Sequence, residues 1–175
     1  HRRVRKLMRR GYSREMIAPH VNEVVDMVRQ RAHSWQPGQT FSVLDMFQRL
    51  VAEQLGWVLV GRKPGAYFED VQTFLNVIMR ASVLKMWPAF MLRTPGYRRA
   101  KASVFALARE VIAAHQAVSP GAARAPDLID DLLAARDEDG EPFAENALVV
   151  SAIAPFFAGI DTVANTLTFM LYALL

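Results

Sequence analysis

Two neighbouring side chains near the C-terminal end, Asp161 and Thr162, can between them accept, hold and release a proton. A carboxylate and a hydroxyl at the same depth of a helix form a proton-delivery pair. They sit in an apolar stretch, ENALVVSAIAPFFAGIDTVANTLTFMLYALL (145–175), in which Asp161 is the only charge after Glu145. A run this long and apolar is either a membrane span or a fully buried central helix. Wound at about 100° per residue, it places Ser151, Pro155, Ala158, Gly159, Thr162, Asn165 and Thr166 on one strip. Ile153, Phe156, Phe157, Ile160, Leu167, Leu171 and Leu174 fall opposite, so one side is built to pack and the other to leave space. Pro155 lacks a backbone donor, Gly159 lacks a Cβ, and the Thr162 hydroxyl can bond back to the carbonyl four residues earlier. Together they predict a local distortion of the helix. The plainer alternative is a buried helix that tolerates one capped Asp.

The second constellation is at the other end. His1 and Arg5 lie four residues apart, hence on one helix face, and can grip the same anion: the guanidinium in a fork, the imidazole with one further bond. They belong to a strongly basic opening, with seven Lys or Arg and no acid from His1 to Arg14. Acids dominate from Asp127 to Glu145, where Arg136 is the lone base. The net charge of +4 therefore hides a positive face suited to an acidic protein, a phosphate or a carboxylate. A solvated basic helix or a nucleic-acid contact would look the same. The 175 residues contain no Cys, which excludes disulfides and thiolate metal sites within the chain. His20 and His33 have no partner at metal-ligand spacing.

Between these ends the pattern is helical. Ser13 is an N-cap; Val21, Val24, Val25 and Val28 form an apolar stripe; 36–39 is a turn; and Thr40 to Val43 reads as a short strand. A helix from Leu44 to Val58 stops at Gly61. Another begins at Tyr67 and leads into an oily, Pro-broken stretch from Val83 to Leu92. Thr94-Pro95-Gly96 reads as a turn before a helix from Tyr97 to Gln116. Ser119 to Pro126 is a connection, Asp127 caps a helix from Leu128 to Arg136, and an acidic turn follows.

Ala158-Gly159-Ile160-Asp161-Thr162 resembles the oxygen-activation motif (Ala/Gly-Gly-x-Asp/Glu-Thr) in the long I helix of cytochrome P-450 haem-thiolate monooxygenases. His1-x-x-x-Arg5 is similar to the pair on that family's C helix that holds the haem propionates. The resemblance implies a mainly α fold covering helices C to I, with at most one or two short strands. It implies that 1–175 is a single partial domain, an internal fragment of a longer protein. It makes Asp161 and Thr162 catalytic, and makes His1, Arg5, Ala158 and Gly159 contacts to haem b. Ala154, Phe157, Ala158 and Thr162 would line the substrate pocket, and the helices flanking 83–96 would form a lid over it.

The axial Cys and the Glu-x-x-Arg pair lie after the I helix in this family, so no metal ligand is expected in this chain. The fragment alone would be inactive. The implied activity of the parent is insertion of one dioxygen atom into an apolar substrate. Electrons would come from NAD(P)H through a ferredoxin or flavoprotein reductase docked near Arg2, Arg3, Lys6, Arg9 and Arg10. A cytoplasmic protein of soluble bacterial type is expected, with no nucleic-acid partner. Two rivals remain: a membrane-anchored protein whose C-terminal helix spans the bilayer, and a helical nucleic-acid-binding regulator.

Overall fold

The computed structural model describes residues 11–118, 125–136 and 140–175, with the backbone alone at Ala158. The basic opening, with His1, Arg2, Arg3, Arg5, Lys6, Arg9 and Arg10, lies outside the described residues, as do 119–124 and 137–139. Eight α-helices are described: α1 Arg14–Ile17, α2 Val21–His33, α3 Val43–Val60, α4 Phe68–Ile78, α5 Pro95–Gln116, α6 Leu128–Ala134, α7 Glu145–Ala158 and α8 Thr162–Leu174. The fold is mainly α, and no strand occurs among the described residues beyond one isolated bridge between Arg136 and Pro142.

Local chemistry sets most boundaries. Ser13 and Ser42 accept backbone N–H bonds at the starts of α1 and α3. Gly61 ends α3 in the left-handed region at φ 63°, where a side chain would be strained. Thr40 to Val43 is not a strand, because Ser42 is spent as the cap of α3. Thr94-Pro95-Gly96 is not a free turn: Thr94 caps α5, and Pro95 takes the first helical position, where its missing donor costs nothing. The helix starting near Tyr67 does not reach Leu92. It ends in a π turn, Met79–Val83, and the chain re-forms a 3-10 turn at Ala89–Arg93.

The core lies where α3, α4, α5 and α6 meet α7. Leu59, Val71, Val104, Leu107, Leu128, Ile129, Leu132, Val149 and Phe156 are almost wholly buried there. α5 packs between α4 and α7, while α3 packs on both α7 and α8. The valine stripe of α2 does not pack as expected. Val21, Val25 and Val28 are exposed, and only Met27 is buried. This helix meets α3 mainly through polar links: Arg31 to Glu53 at 3.2 Å, and the Trp57 indole N–H donating to Glu23 at 2.6 Å.

The 145–174 stretch is long and apolar enough to cross a membrane, and about half of its most apolar window is buried within the fold. A core helix of a soluble protein meets the same criteria. Here the buried half, α7, is the centre of the hydrophobic core.

Candidate functional site

The apolar stretch is two helices with a break, and the break is the motif itself. α7 runs through Pro155 and ends at Ala158; Gly159, Ile160 and Asp161 form a turn; α8 starts at Thr162. The predicted distortion is present, at Gly159 rather than at the proline. The Gly159 carbonyl accepts both the Val163 N–H at 3.1 Å and the Ala164 N–H at 3.2 Å, so a five-residue step is inserted into a four-residue ladder.

That step changes which residues share a face. A strip wound at constant pitch across 30 residues is broken: Ser151, Pro155 and Gly159 are buried, whereas Thr162, Asn165 and Thr166 are exposed. On the side expected to pack, Ile153, Phe156 and Ile160 are buried, but Leu174 is exposed. The small-residue side is therefore open only after the break.

Gly159 explains how closely α3 approaches the break. A Cβ placed there would stand 2.5 Å from Val51 Cγ1 and 2.6 Å from Leu55 Cδ1, both on α3. What the missing side chain admits is α3. A similar approach occurs one turn earlier in the packing, where a Cβ on Gly56 would meet the Phe156 ring at 2.5 Å.

Asp161, the residue after Ile160, is half-buried at the break. Its Oδ1 accepts from Gln48 Nε2 at 3.4 Å, and Gln48 Oε1 in turn accepts from Gln72 Nε2 at 2.6 Å. Thr162 opens α8 on the exposed side beside it. Ala154 and Phe157 are half-buried, with the Phe157 ring 5.6 Å from that of Phe74 on α4. Phe74 also stacks on Tyr97 at 5.6 Å, so an aromatic cluster joins α4, α5 and α7. Burial pushes the Tyr97 phenol above its ordinary range. Of the sequence-derived site, the structure thus brings Asp161 and Thr162 together at one break. Phe157 and Ala154 stand about one and two turns before it, and His1 and Arg5 lie outside the described residues.

A second polar cluster was expected only through Asp127, as the cap of α6. His115, near the end of α5, has Nδ1 2.7 Å from the Val111 carbonyl and Nε2 2.8 Å from Asp127 Oδ2. Asp127 Oδ1 accepts the Ile129 N–H, and Asp130 accepts the Asp127 N–H, which completes a capping box for α6. His115, Asp127 and Asp130 lie close enough to hold a cation, with ligand atoms within 4.8 Å of one another. Their committed hydrogen bonds identify them instead as the anchor of α6 on α5. The signal was a His followed, after a connection, by a capping Asp, and this has no fixed spacing. A cavity of about 560 Å³ lined by Arg109, Leu132, Phe143 and Leu148 is likewise remote from the motif.

The Cytochrome P450 family model matches residues 2–175. Proteins of Mycobacterium bovis and Mycobacterium tuberculosis, each described as a candidate cytochrome P450 139, are 25% identical over 181 residues, covering all of this chain and 41% of their own length. The solved structure of a cyanobacterial CYP120A1 with retinoic acid bound superposes with a TM-score of 0.76 at 20% identity. It covers 93% of this chain and 36% of that one, a likeness of fold. The chain spans under half the length of these curated relatives, and it belongs to the cytochrome P450 family.

Proposed function

We propose that this chain forms part of a haem-dependent monooxygenase whose full-length form inserts one atom of dioxygen into an apolar organic substrate. The observation that carries the proposal is the helix break at Gly159–Asp161, which sets a carboxylate and a hydroxyl side by side at the edge of the core. Membership of the family supports haem as the cofactor. The residues present fit one wall of such a site. A half-buried acid, an alcohol on an exposed helix face and half-buried Ala154 and Phe157 provide proton-handling groups beside an apolar surface. They do not supply the iron's ligand, because the chain has no Cys. Haem, when bound, supplies the reduction of dioxygen and the oxidising power.

Within that scheme Asp161 passes protons inward from its half-buried position, and the Thr162 hydroxyl holds a proton at Oγ1. Ala154, Phe157 and Ala158 shape the pocket and keep water from the reacting carbon. Ala158 contacts the haem and His1 and Arg5 hold its propionates, whereas Gly159, expected as a haem contact, is buried against Val51 and Leu55 and serves the packing of α3 instead. Electrons arrive from NAD(P)H through a ferredoxin or flavoprotein reductase on the basic face of Arg2, Arg3, Lys6, Arg9 and Arg10. On this proposal 1–175 works only as part of the longer chain, in the cytoplasm.

Thr162→Ala in the full-length protein tests it. A sterol, a terpenoid and a fatty acid are ranked by the absorption shift they induce, and the tightest binder is turned over. The expected outcome is unchanged reductant consumption with a large fall in product per reductant. Wild-type coupling in the variant would remove Thr162 from proton delivery.

A further inference from the structure

α3 turns one face to the break: Gln48, Val51, Leu55, Gly56 and Leu59, spaced as one helical stripe. Four of these five are apolar or glycine. Val51 and Leu55 meet Gly159, and Gly56 meets Phe156. The fifth, Gln48, is 7% exposed and lies opposite Asp161. A buried amide in an apolar stripe must bond both of its ends. Gln48 does so in one direction: its oxygen accepts from Gln72 on α4, and its nitrogen donates to Asp161. The amide cannot turn over without presenting its oxygen to the Asp161 carboxylate, which can only accept.

We propose that Gln48 is a positioning residue for Asp161: the carboxylate can only accept, so it takes the Gln48 N–H, and the Gln72 amide closes the other end of the relay. The proposal rests on the proton-delivery role given to Asp161 above. Its content is directional. Gln48 engages Oδ1 of the carboxylate at 3.4 Å, holds the side chain's rotation at the backbone break, and leaves Oδ2 for proton exchange. Asp161 chooses which end of the Gln48 amide points inward, and Gln72 closes the other end by donating to its oxygen. A glutamine that merely filled space would be indifferent to that choice.

The test uses the full-length, haem-loaded protein and two readouts. The first is thermal stability in a rescue design that needs no substrate. In Gln72→Glu the new carboxylate, like Asp161, can only accept, so the Gln48 oxygen must face one of the two carboxylates. Two acceptors then face each other, and the unfolding midpoint falls. Adding Asp161→Asn restores a donor at 161, and the midpoint of the double variant returns toward that of Asp161→Asn alone. An equal loss from Gln72→Glu in both backgrounds overturns the directional relay.

The second readout is product per reductant consumed, with the substrate found above. Gln48→Met keeps the volume and removes the donor. The expected loss is on the order of tenfold, as when outer partners that orient an active-site ligand are removed. Should Asp161→Asn uncouple while Gln48→Met does not, the positioning role falls and the role of Asp161 stands. Should Asp161→Asn itself stay coupled, the proton-delivery role falls instead. The rescue in stability would then still establish the relay as a structural link.

Discussion

Gly159→Ala is the smallest change that loads the contact between the motif and α3. The backbone does not resist it: φ is −109° and ψ is −16°, open to any residue. Stiffening the unfolded chain would even favour alanine by about 0.4–1 kcal/mol. The cost is steric. The added methyl would stand 2.5 Å from Val51 Cγ1 and 2.6 Å from Leu55 Cδ1, well inside ordinary van der Waals contact. Leu55 can swing its terminal methyl aside. Val51 is β-branched, buried and fixed at χ1, so α3 or the turn has to give. Overpacking of this kind costs about 1–3 kcal/mol, leaving a net destabilisation of about 1–2 kcal/mol.

Val51→Ala alone loses about 2 kcal/mol of buried side chain. In the double variant the two errors fit each other, because the methyl added at position 159 occupies part of the space that Val51 vacates. Urea unfolding of the wild type, both single variants and the double variant, followed by haem absorbance and helical circular dichroism, closes the cycle. The double variant should be at least about 1 kcal/mol more stable than the sum of the single losses implies. Additivity within about 0.5 kcal/mol would refute the close approach of Gly159 to α3.

Two further outcomes follow from the same geometry. Asp127→Ala removes the α6 cap, worth about 0.5–2 kcal/mol, and takes away the carboxylate that His115 Nε2 meets, worth about 1–3 kcal/mol more. Asp127→Asn keeps an acceptor for the cap and loses less, and urea unfolding distinguishes the two. Burial holds the phenols of Tyr12 and Tyr97 above their ordinary range, and the hydrogen bond to Glu110 does the same for Tyr67. The folded state therefore keeps protons that the unfolded chain releases near pH 10. Stability is full below that pH and is lost as pH rises through the raised values, and Tyr97→Phe should flatten the alkaline fall of the unfolding midpoint.

Features written in neighbouring residues were legible in advance. Ser13 and Asp127 announce helix starts because their side chains bond donors two or three residues on, and Gly61 announces a stop because only glycine takes its φ cheaply. The break in the central helix was legible for the same reason: Pro155, Gly159 and Thr162 each weaken one ladder. Its location was not, because all three act in the same direction and their spacing does not rank them. A proline inside α7 leaves only one backbone bond unmade, and at Gly159 the absence of a Cβ lets Val51 and Leu55 of α3 approach the break itself.

The same limit applies to the polar contacts that complete the site. Gln48 is 113 residues from Asp161 and 24 from Gln72, and glutamine inside an apolar stripe has no spacing of its own to announce a partner. The exposed valines of α2 show the converse. Their period is that of a packed helix, but a period states only that a face is apolar, not that another element reaches it. What α3 does for the motif could be found only once both were placed together. One face of one helix presses its valine and leucine into the gap at Gly159 and offers its single amide to the acid two residues on. On the proposal above, the contact at Gly159 and the bond from Gln48 to Asp161 act together, because both come from one face of α3. Perturbing either through α3 should move Asp161 without touching the motif's own residues.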